Sequence, residues 1–537
     1  MAANLDIGKI ISKLNSAHQY CHPLEPLSVI DSNLHKLMPR IIIATLNARY
    51  IHTAFGLRYL YANMGDLQNQ TLLLEFGINQ RAIEVVEQLL AHQPRIIGFG
   101  VYIWNVTEIN AIVAMLKQIA PQITIILGGP EVSHPPDLPA VAELADFVIT
   151  GPGEISFPEL CRQILTTATP AENILSGISV PLSELASPYP FYTDTDIKQR
   201  IIYVEASRGC PFKCEFCLSS LATTAKPFAL DGFLQDMNAL YQRGARHFKF
   251  IDRTFNLKVD TSVAILEFFL ARLTDDLYLH FEVIPDNLPP RLQQAIQQFP
   301  AGVLQFEVGV QTFEPAIQQL ISRKQDNIKT QANLTWLRQH SQAHIHADLI
   351  VGLPGDTLAG FARSFDALVA LKPQEIQVGI LKRLRGAPLN RHNQTYQLRY
   401  DPHPPYAILS SRDMDFFSLQ RLNRFARFWD LIGNSGRFNN SLPLMLADQP
   451  FQRFLQLSDS LFQQTGSTWQ IALRRLFELT YIAMTETLHI NPTEAQATLK
   501  LDFQRSGDKG QLSFLPSNPT LEKTMLSNKR QRLTALD

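Results

Sequence analysis

Ser207-Arg-Gly-Cys210-Pro-Phe-Lys-Cys214-Glu-Phe-Cys217 gathers three of the five cysteines of this chain into one short stretch, leaving only Cys21 and Cys161 elsewhere. At that abundance a chance CxxxCxxC arises in about 4 of 10,000 chains of this length, so the three thiols act together. Thiolates so closely spaced can wrap one face of an iron–sulfur cube, whereas a structural zinc site wants four ligands and typically arrives as two CxxC pairs. The sequence has no second pair. Three cysteines leave one iron of a cube without a protein ligand and open to a small molecule. Zinc completed by a distant histidine, or inert buried thiols, are the other readings these residues allow.

The stretch sits directly after IIYVEA (201–206), the first of six strand candidates. The others are HFKFID (247–252), LHFEVI (279–284), VLQFEVGV (303–310), HADLIVGL (346–353) and EIQVGIL (375–381). Helix-period segments fill the gaps; Leu358, Phe361, Phe365 and Leu368 fall on one stripe of 356–371. Six βα units with polar or glycine features at the strand ends predict a partial TIM-like (β/α)6 barrel over 201–400.

Upstream, IIIATL (41–46), RIIGFGVYI (95–103), ITIILGG (123–129) and DFVITGPGE (146–154) are continuous apolar runs ending in Gly or Asn, separated by helical stretches at 78–93 and 106–120. Such a rhythm predicts a doubly wound, flavodoxin/Rossmann-like parallel sheet covered on both faces, spanning 39–165. Its ligand belongs beyond the carboxyl ends of the strands, where Gly128-Gly129-Pro-Glu131 and Gly151-Pro-Gly153-Glu154 let a large planar molecule approach the backbone. Tight turns of any flavodoxin-like domain account for each motif equally well. Residues 1–38 read as an N-terminal extension and 166–200, rich in Pro, Ser and Thr, as a linker. Residues 401–505 read as a helical C-terminal domain. In its segment 413–433, Phe417, Leu422, Phe425 and Trp429 are expected toward a core, with Arg421, Arg424 and Arg427 on an adjoining solvated face. A second helix is expected over 469–490 and a flexible tail over 506–537.

The cysteine spacing, with the aromatic Phe216 before the last cysteine, resembles the radical S-adenosylmethionine (SAM) superfamily. The resemblance implies that Cys210, Cys214 and Cys217 hold a 4Fe–4S cluster whose open iron chelates SAM. Further motifs fall in order. The loop Phe250-Ile-Asp252-Arg-Thr-Phe-Asn256 stands where the family binds the SAM amino group, although it is not the GGE version. Glu307-Val-Gly-Val-Gln311 resembles the ExGxQ strand that reaches the SAM ribose and carboxylate. Asp348-Leu-Ile-Val-Gly352-Leu-Pro354-Gly-Asp356 resembles GxIxGLPGE, which accepts the adenine. Glu307 and Gln311 share a face toward the barrel interior, where an unanswered carboxylate is costly, so a ligand or a cation such as Arg323 is expected to answer Glu307. A barrel-core salt bridge and a plain strand-to-helix turn are the structural alternatives.

Position and order make the Gly128-Gly129 and Gly151-Pro-Gly153-Glu154 turns similar to those of the cobalamin-binding domain of cobalamin-dependent radical SAM enzymes, which border the nucleotide tail and corrin. The axial-histidine motif DxHxxG is absent; Asn47-Ala-Arg-Tyr-Ile-His52 does not match its spacing, and such enzymes commonly bind the corrin without a protein histidine. Tyr102 and Trp104 line the lower corrin face or fill core on this reading.

Charge excludes other classes. With 48 Lys plus Arg against 49 Asp plus Glu, there is no basic field for nucleic acid or an anionic membrane. No uninterrupted apolar run of about 18 residues and no secretory leader pattern is found, so a cytoplasmic protein is expected. The resemblance implies reductive cleavage of SAM and a cobalamin-dependent methyl transfer to an unactivated carbon of a small-molecule or peptide substrate. An external electron donor such as flavodoxin or ferredoxin would supply the electron. The alternatives are a cobalamin-dependent rearrangement, cyclisation or oxidation without net methylation, and a non-catalytic cobalamin or redox sensor. No residue is assigned as catalytic.

Overall fold

The computed structural model describes residues 39–515 apart from 167, 169, 223 and 509. The expected N-terminal extension and the tail from 516 onward lie outside the described residues. The first α/β unit is a six-stranded parallel sheet of β1 (Ile41–Asn47), β2 (Thr71–Gly77), β3 (Ile96–Gly100), β4 (Thr124–Gly128), β5 (Phe147–Thr150) and β6 (Ile174–Ser176), in the order β2-β1-β3-β4-β5-β6. Along β1, Ile41 and Ile43 enter the core under the helices Phe55–Ala62 and Ser156–Leu165, while Ile42, Ala44 and Leu46 enter the core under Ala82–Leu90 and Val106–Ile119. Burial on both faces is why the strand is apolar throughout rather than alternating. The order reverses between β1 and β3, the switch point at which such sheets open a ligand crevice.

Two strands of this sheet are absent from the sequence reading. β2 is an edge strand whose middle residues are only half-buried, and β6 is a three-residue edge strand inside the expected linker. An edge strand facing water on one side shows no continuous apolar run. The 166–200 segment therefore belongs in part to the sheet, and its Asp194–Gln199 helix is fixed by a Thr193/Asp196 capping box.

The second unit is β7 (Ile202–Val204), β8 (His247–Phe250), β9 (Tyr278–Val283), β10 (Leu304–Gln311), β11 (His344–Val351) and β12 (Glu375–Ile380), all parallel and paired in chain order. β7 and β12 are the two edges, so the barrel is open along one side. On β10 and β11, Phe306, Val308, Val310, Ile345, Ala347, Leu349 and Val351 are buried under the helices, and the alternate residues face the interior. That inner face is polar. It carries Lys249, His280, Glu282, Glu307, His346 and Asp348 where a closed barrel is filled by branched aliphatics.

The C-terminal helices Phe416–Ile432 and Pro450–Thr465 share an aromatic core with the barrel helix Leu358–Leu371 through Phe361, Phe365, Phe425, Trp429, Phe451 and Phe454. Phe417, expected in that core, is 74% exposed, because the turn places it beside the Asp415 N-cap on the outer face. The arginine face is occupied: Arg421 pairs with Asp459, Arg424 lies over Phe462, and Arg427 lies over Trp469. The second helix breaks at a π-turn, Ala483–Thr487, after Leu473–Ile482. Of the described residues read as tail, Leu512 is fully buried and Phe514 stacks on Tyr481 at 4.2 Å. Among the described residues no helix is long and apolar enough to cross a membrane.

Candidate functional site

The loop after β7 begins with a two-residue ladder between Ser207–Arg208 and Lys226–Pro227. At Gly209 the backbone takes φ +97°, and a Cβ there would meet the Thr224 carbonyl at 2.5 Å, so the entry to the cysteine loop requires glycine. Cys210, Cys214 and Cys217 then line one cavity of about 240 Å³ together with Phe216. Burial pushes the Cys210 and Cys214 thiols up; at Cys214 the Arg323 guanidinium, 3.5 Å from Sγ, works against that burial. Three thiols lining one cavity suit a polynuclear cluster, which takes one thiolate per iron.

Glu215, which the sequence reading passed over, holds this loop. Its buried carboxylate accepts from Ser322 (2.5 Å), from Arg391 (2.9 and 2.6 Å) and from His392 (2.9 Å), while its amide donates to Ile321 O. The loop is thus tied to the segment after β10 and to the turn Pro388–His392.

Across the cavity, the barrel interior presents Glu282, Glu307 and Asp348 from three adjacent strands. Burial alone pushes Glu307 up, but a 2.9 Å hydrogen bond with His280, with Lys249 at 3.9 Å, holds its pKa well below the ordinary range. This corrects the expectation for Arg323. That side chain serves Cys214, Gln325 and the Gly309 carbonyl instead, because it leaves the chain beyond the end of β10, above Glu307. Glu282 is raised by burial and paired with Arg253 at 2.9 and 3.0 Å. Asp348 is raised well above the ordinary range by burial and by the nearby Glu307 and Glu282. Gln311 lines the same cavity at φ +68°, where the β10–β11 register slips at a bulge that re-aims its side chain.

Three candidate residues stand elsewhere. Asp252 is 2% exposed and turns back, accepting from Ala206 N (2.9 Å) and Ser207 Oγ (2.7 Å); burial raises its pKa to about 6, and it fixes the start of the cysteine loop rather than lining the cavity. Gly352 and Pro354 line neither this cavity nor the larger one. Gly352, at φ +87°, is packed under Ile408, which a Cβ would meet at 2.7 Å, so the turn serves docking of the C-terminal region.

A second cavity of about 780 Å³ lies between the carboxyl ends of β1, β3, β4 and β5 and the start of the barrel. Gly128, Gly129, Gly151, Gly153 and Glu154 all line it. At Gly129, φ is +106° and a Cβ would strike the Val101 carbonyl at 2.6 Å; at Gly151, φ is +75° and the place of a side chain is open space. Glycine turns that leave room beyond the strand ends are what a broad planar ligand needs. Tyr102 and Trp104 form part of the wall, stacked at 4.4 Å and 7°, and Asn105 beneath them bonds Thr45, Leu46 and Gly100. His52 is also on the wall, its Nδ1 2.7 Å from the Tyr203 hydroxyl. Glu154 accepts from Arg208 at 2.6 Å, and Arg208 also pairs with Glu205, which joins the glycine turn to the cysteine loop.

Arg253 lines both cavities. It lies one residue past Asp252 in the loop that the sequence had marked, and the period-two pattern of β9 would have pointed to its partner Glu282.

The family described as B12 binding domain matches residues 41–161, the Radical SAM superfamily matches 204–368, and a family described as Protein of unknown function (DUF4080) matches 394–534. Among curated proteins, the cobalamin-dependent radical SAM methyltransferase TokK of Streptomyces tokunonensis is 25% identical over 353 residues, covering 58% of this chain and 51% of TokK. The chain spans about half the length of the curated relatives it matches. Among solved structures, the radical SAM methyltransferase TsrM of Kitasatospora setae, with cobalamin and 4Fe–4S cluster bound, superposes at TM-score 0.54 and 16% identity over 68% of this chain and 80% of TsrM. The cobalamin-dependent SAM radical enzyme OxsB, with aqua-cobalamin bound, superposes at TM-score 0.58 and 14% identity over 88% of this chain and 84% of OxsB. The chain thus carries a B12-binding domain followed by a radical SAM domain, in the fold of these two structures.

Proposed function

We propose that this chain, built from a B12-binding domain and a radical SAM domain, is an enzyme that transfers a methyl group to an unactivated carbon of a small-molecule or peptide substrate. The observation that carries the reading is the meeting of the two cavities at Arg253: one is walled by the glycine turns, the other by the three cysteines. A substrate held where they meet faces both at once. When bound, the cluster supplies the electron that cleaves SAM, and cobalamin supplies the methyl group.

The work of the chain itself is positional. Cys210, Cys214 and Cys217 hold the cluster, and Glu215 and Arg323 fix their loop. Glu307, Gln311 and Phe216 bound the SAM cavity. Gly128, Gly129, Gly151 and Gly153 let the corrin approach the backbone, and Glu154 locks that edge to Arg208. The Arg253–Glu282 pair borders the substrate, and the stacked Tyr102 and Trp104 shield the corrin cavity. The electron comes from an external donor of the flavodoxin or ferredoxin kind, and the protein works in the cytoplasm, where a reducing environment protects the cluster.

Anaerobic purification with cobalamin supplied tests the whole reading. Corrin absorption together with a cube EPR signal perturbed by SAM is expected, and both the cube signal and 5′-deoxyadenosine formation are expected to vanish in C214A. Counting SAM consumed against methylated product separates methyl transfer from radical rearrangement or oxidation. A protein that binds cobalamin and cluster yet never forms 5′-deoxyadenosine would be a sensor instead.

A further inference from the structure

Three carboxyl groups reach the SAM cavity from the barrel strands, and their charge balance is unequal. Glu282 is matched by Arg253 in a two-bond pair, and Glu307 is matched by Lys249 and a hydrogen bond with His280. Among the described residues, Asp348 is paired with no lysine or arginine. Its Oδ1 is sealed from solvent without a hydrogen bond, and His346 Nε2, 3.4 Å away, is directed to Gln377 at 3.0 Å. Arg323 faces the same space but is committed to Cys214 and the Gly309 carbonyl. A fourth lining carboxylate, Asp286, is spent on the Asp326 amide at 2.8 Å. Among the described residues, Asp348 is the acid lining this cavity that has a carboxyl oxygen sealed from solvent and without a hydrogen bond.

We infer that Asp348 reads the charge of the ligand: it is a neutral acid in the empty cavity and gives up its proton when the sulfonium of SAM enters, so that SAM is bound as the partner of a third carboxylate. The proposal rests on the reading of this cavity as the SAM site. The physical reason is reciprocal. A half-buried carboxyl with one sealed oxygen, beside two carboxylates, keeps its proton because a third negative charge is unfavourable there, and the high pKa of Asp348 accords with that. A cation arriving in a cavity of about 240 Å³ cannot lie far from its floor, and it reverses the balance. The charged and titratable groups in and around this cavity are Lys249 on β8, Arg253 after it, His280 and Glu282 on β9, Asp286 after it, Glu307 on β10, Arg323 and Lys324 beyond it, His346 on β11 and the three cysteines; Gln377 on β12 is uncharged.

The consequence is selectivity. S-adenosylhomocysteine has the amino group, carboxylate and adenosine of SAM but a neutral thioether, so it leaves the Asp348 proton in place and gains nothing from that carboxylate. Because the free protein holds a proton that the SAM complex does not, SAM affinity should rise about tenfold per pH unit until Asp348 is ionised in the free protein, while the thioether shows no such rise.

Isothermal titration of the anaerobic, cluster-loaded full chain tests this, using SAM and S-adenosylhomocysteine in two buffers of different ionisation heat between pH 6 and 8. SAM is expected to release about one more proton than the thioether, a difference that cancels any proton lost from the shared amino group. In D348N, checked for folding by its cluster EPR signal, the extra proton should disappear and the affinity ratio should fall through weaker SAM binding. Equal proton counts for the two ligands in the wild type, or an extra proton that survives in D348N, would overturn the inference while leaving the SAM site standing. Failure of SAM to bind a cluster-loaded protein would overturn the site itself and the inference with it.

Discussion

Replacing Glu215 by alanine is expected to loosen the cysteine loop while leaving every thiol in the chain. The carboxylate is 4% exposed and accepts hydrogen bonds from Ser322, Arg391 and His392. The three donors do not contribute equally. Arg391 is 63% exposed and can return to water, so its loss costs less than about 1 kcal/mol. His392 is buried and Ser322 half-buried, and a buried donor left without an acceptor costs about 1–3 kcal/mol, the half-buried one less. Together they suggest a loss of about 3 kcal/mol, or roughly 6–12 °C in Tm at about 2–4 °C per kcal/mol. E215Q keeps one acceptor oxygen but turns an amide toward Arg391, so about 1–2 kcal/mol is expected. R391A serves as the control, with a loss below about 1 kcal/mol. The pH dependence has a definite sign. Although burial pushes Glu215 up, Arg391, Ser322 and His392 hold its pKa below the ordinary carboxylate range. Its stabilisation is therefore fully present above the unfolded pKa of about 4.3 and is lost as pH falls through the folded value. The assay is thermal unfolding with iron and sulfide content measured on the same anaerobic preparations. An E215A protein melting within about 1 °C of wild type and carrying its full complement of iron would refute the account of how this loop is held.

Three further outcomes are expected. G129A should cost at least about 2 kcal/mol, since the added Cβ meets the Val101 carbonyl at 2.6 Å with φ at +106°, and corrin absorption on reconstitution should drop with it. Burial raises Asp356 to about 7, so its folded form prefers the proton; the stability it contributes is complete below the unfolded pKa and is lost as pH rises toward about 7, a dependence that denaturant unfolding of D356N should no longer show. Arg385 pairs with Glu131 at 2.9 Å and with Asp137, clasping the loop after β4 to the loop after β12; R385A strands the buried Glu131 at a cost of about 3–5 kcal/mol, and limited proteolysis should then cut between the B12-binding domain and the barrel faster than in wild type.

Much of this architecture was legible before any fold was known. A strand buried on both faces has to be apolar throughout, which made β1, β3, β4 and β5 visible as runs, and the regular return of βα units announced the barrel. The cysteine spacing named its own chemistry because thiols are scarce in the chain. β2 and β6 escaped notice because an edge strand does not need that pattern. The helix at 413–433 showed its period but not its limits, since Phe417 satisfies the spacing while standing outside the core.

Partners were a different matter. Sequence alone fixed that Glu307 and Gln311 share the inner face of one strand, because side chains alternate with period two; it could not fix that His280 and Lys249, not Arg323, answer Glu307, since that depends on the register of β8, β9 and β10. Nor could it foresee that Asp252 turns back to the cysteine loop, that Gly352 lies under Ile408, or that two cavities meet at Arg253. The periods of helix and strand are local properties of the backbone and are written in neighbouring residues. Which charge meets which is decided by how strands distant along the chain align, and that alignment exists only in the folded molecule.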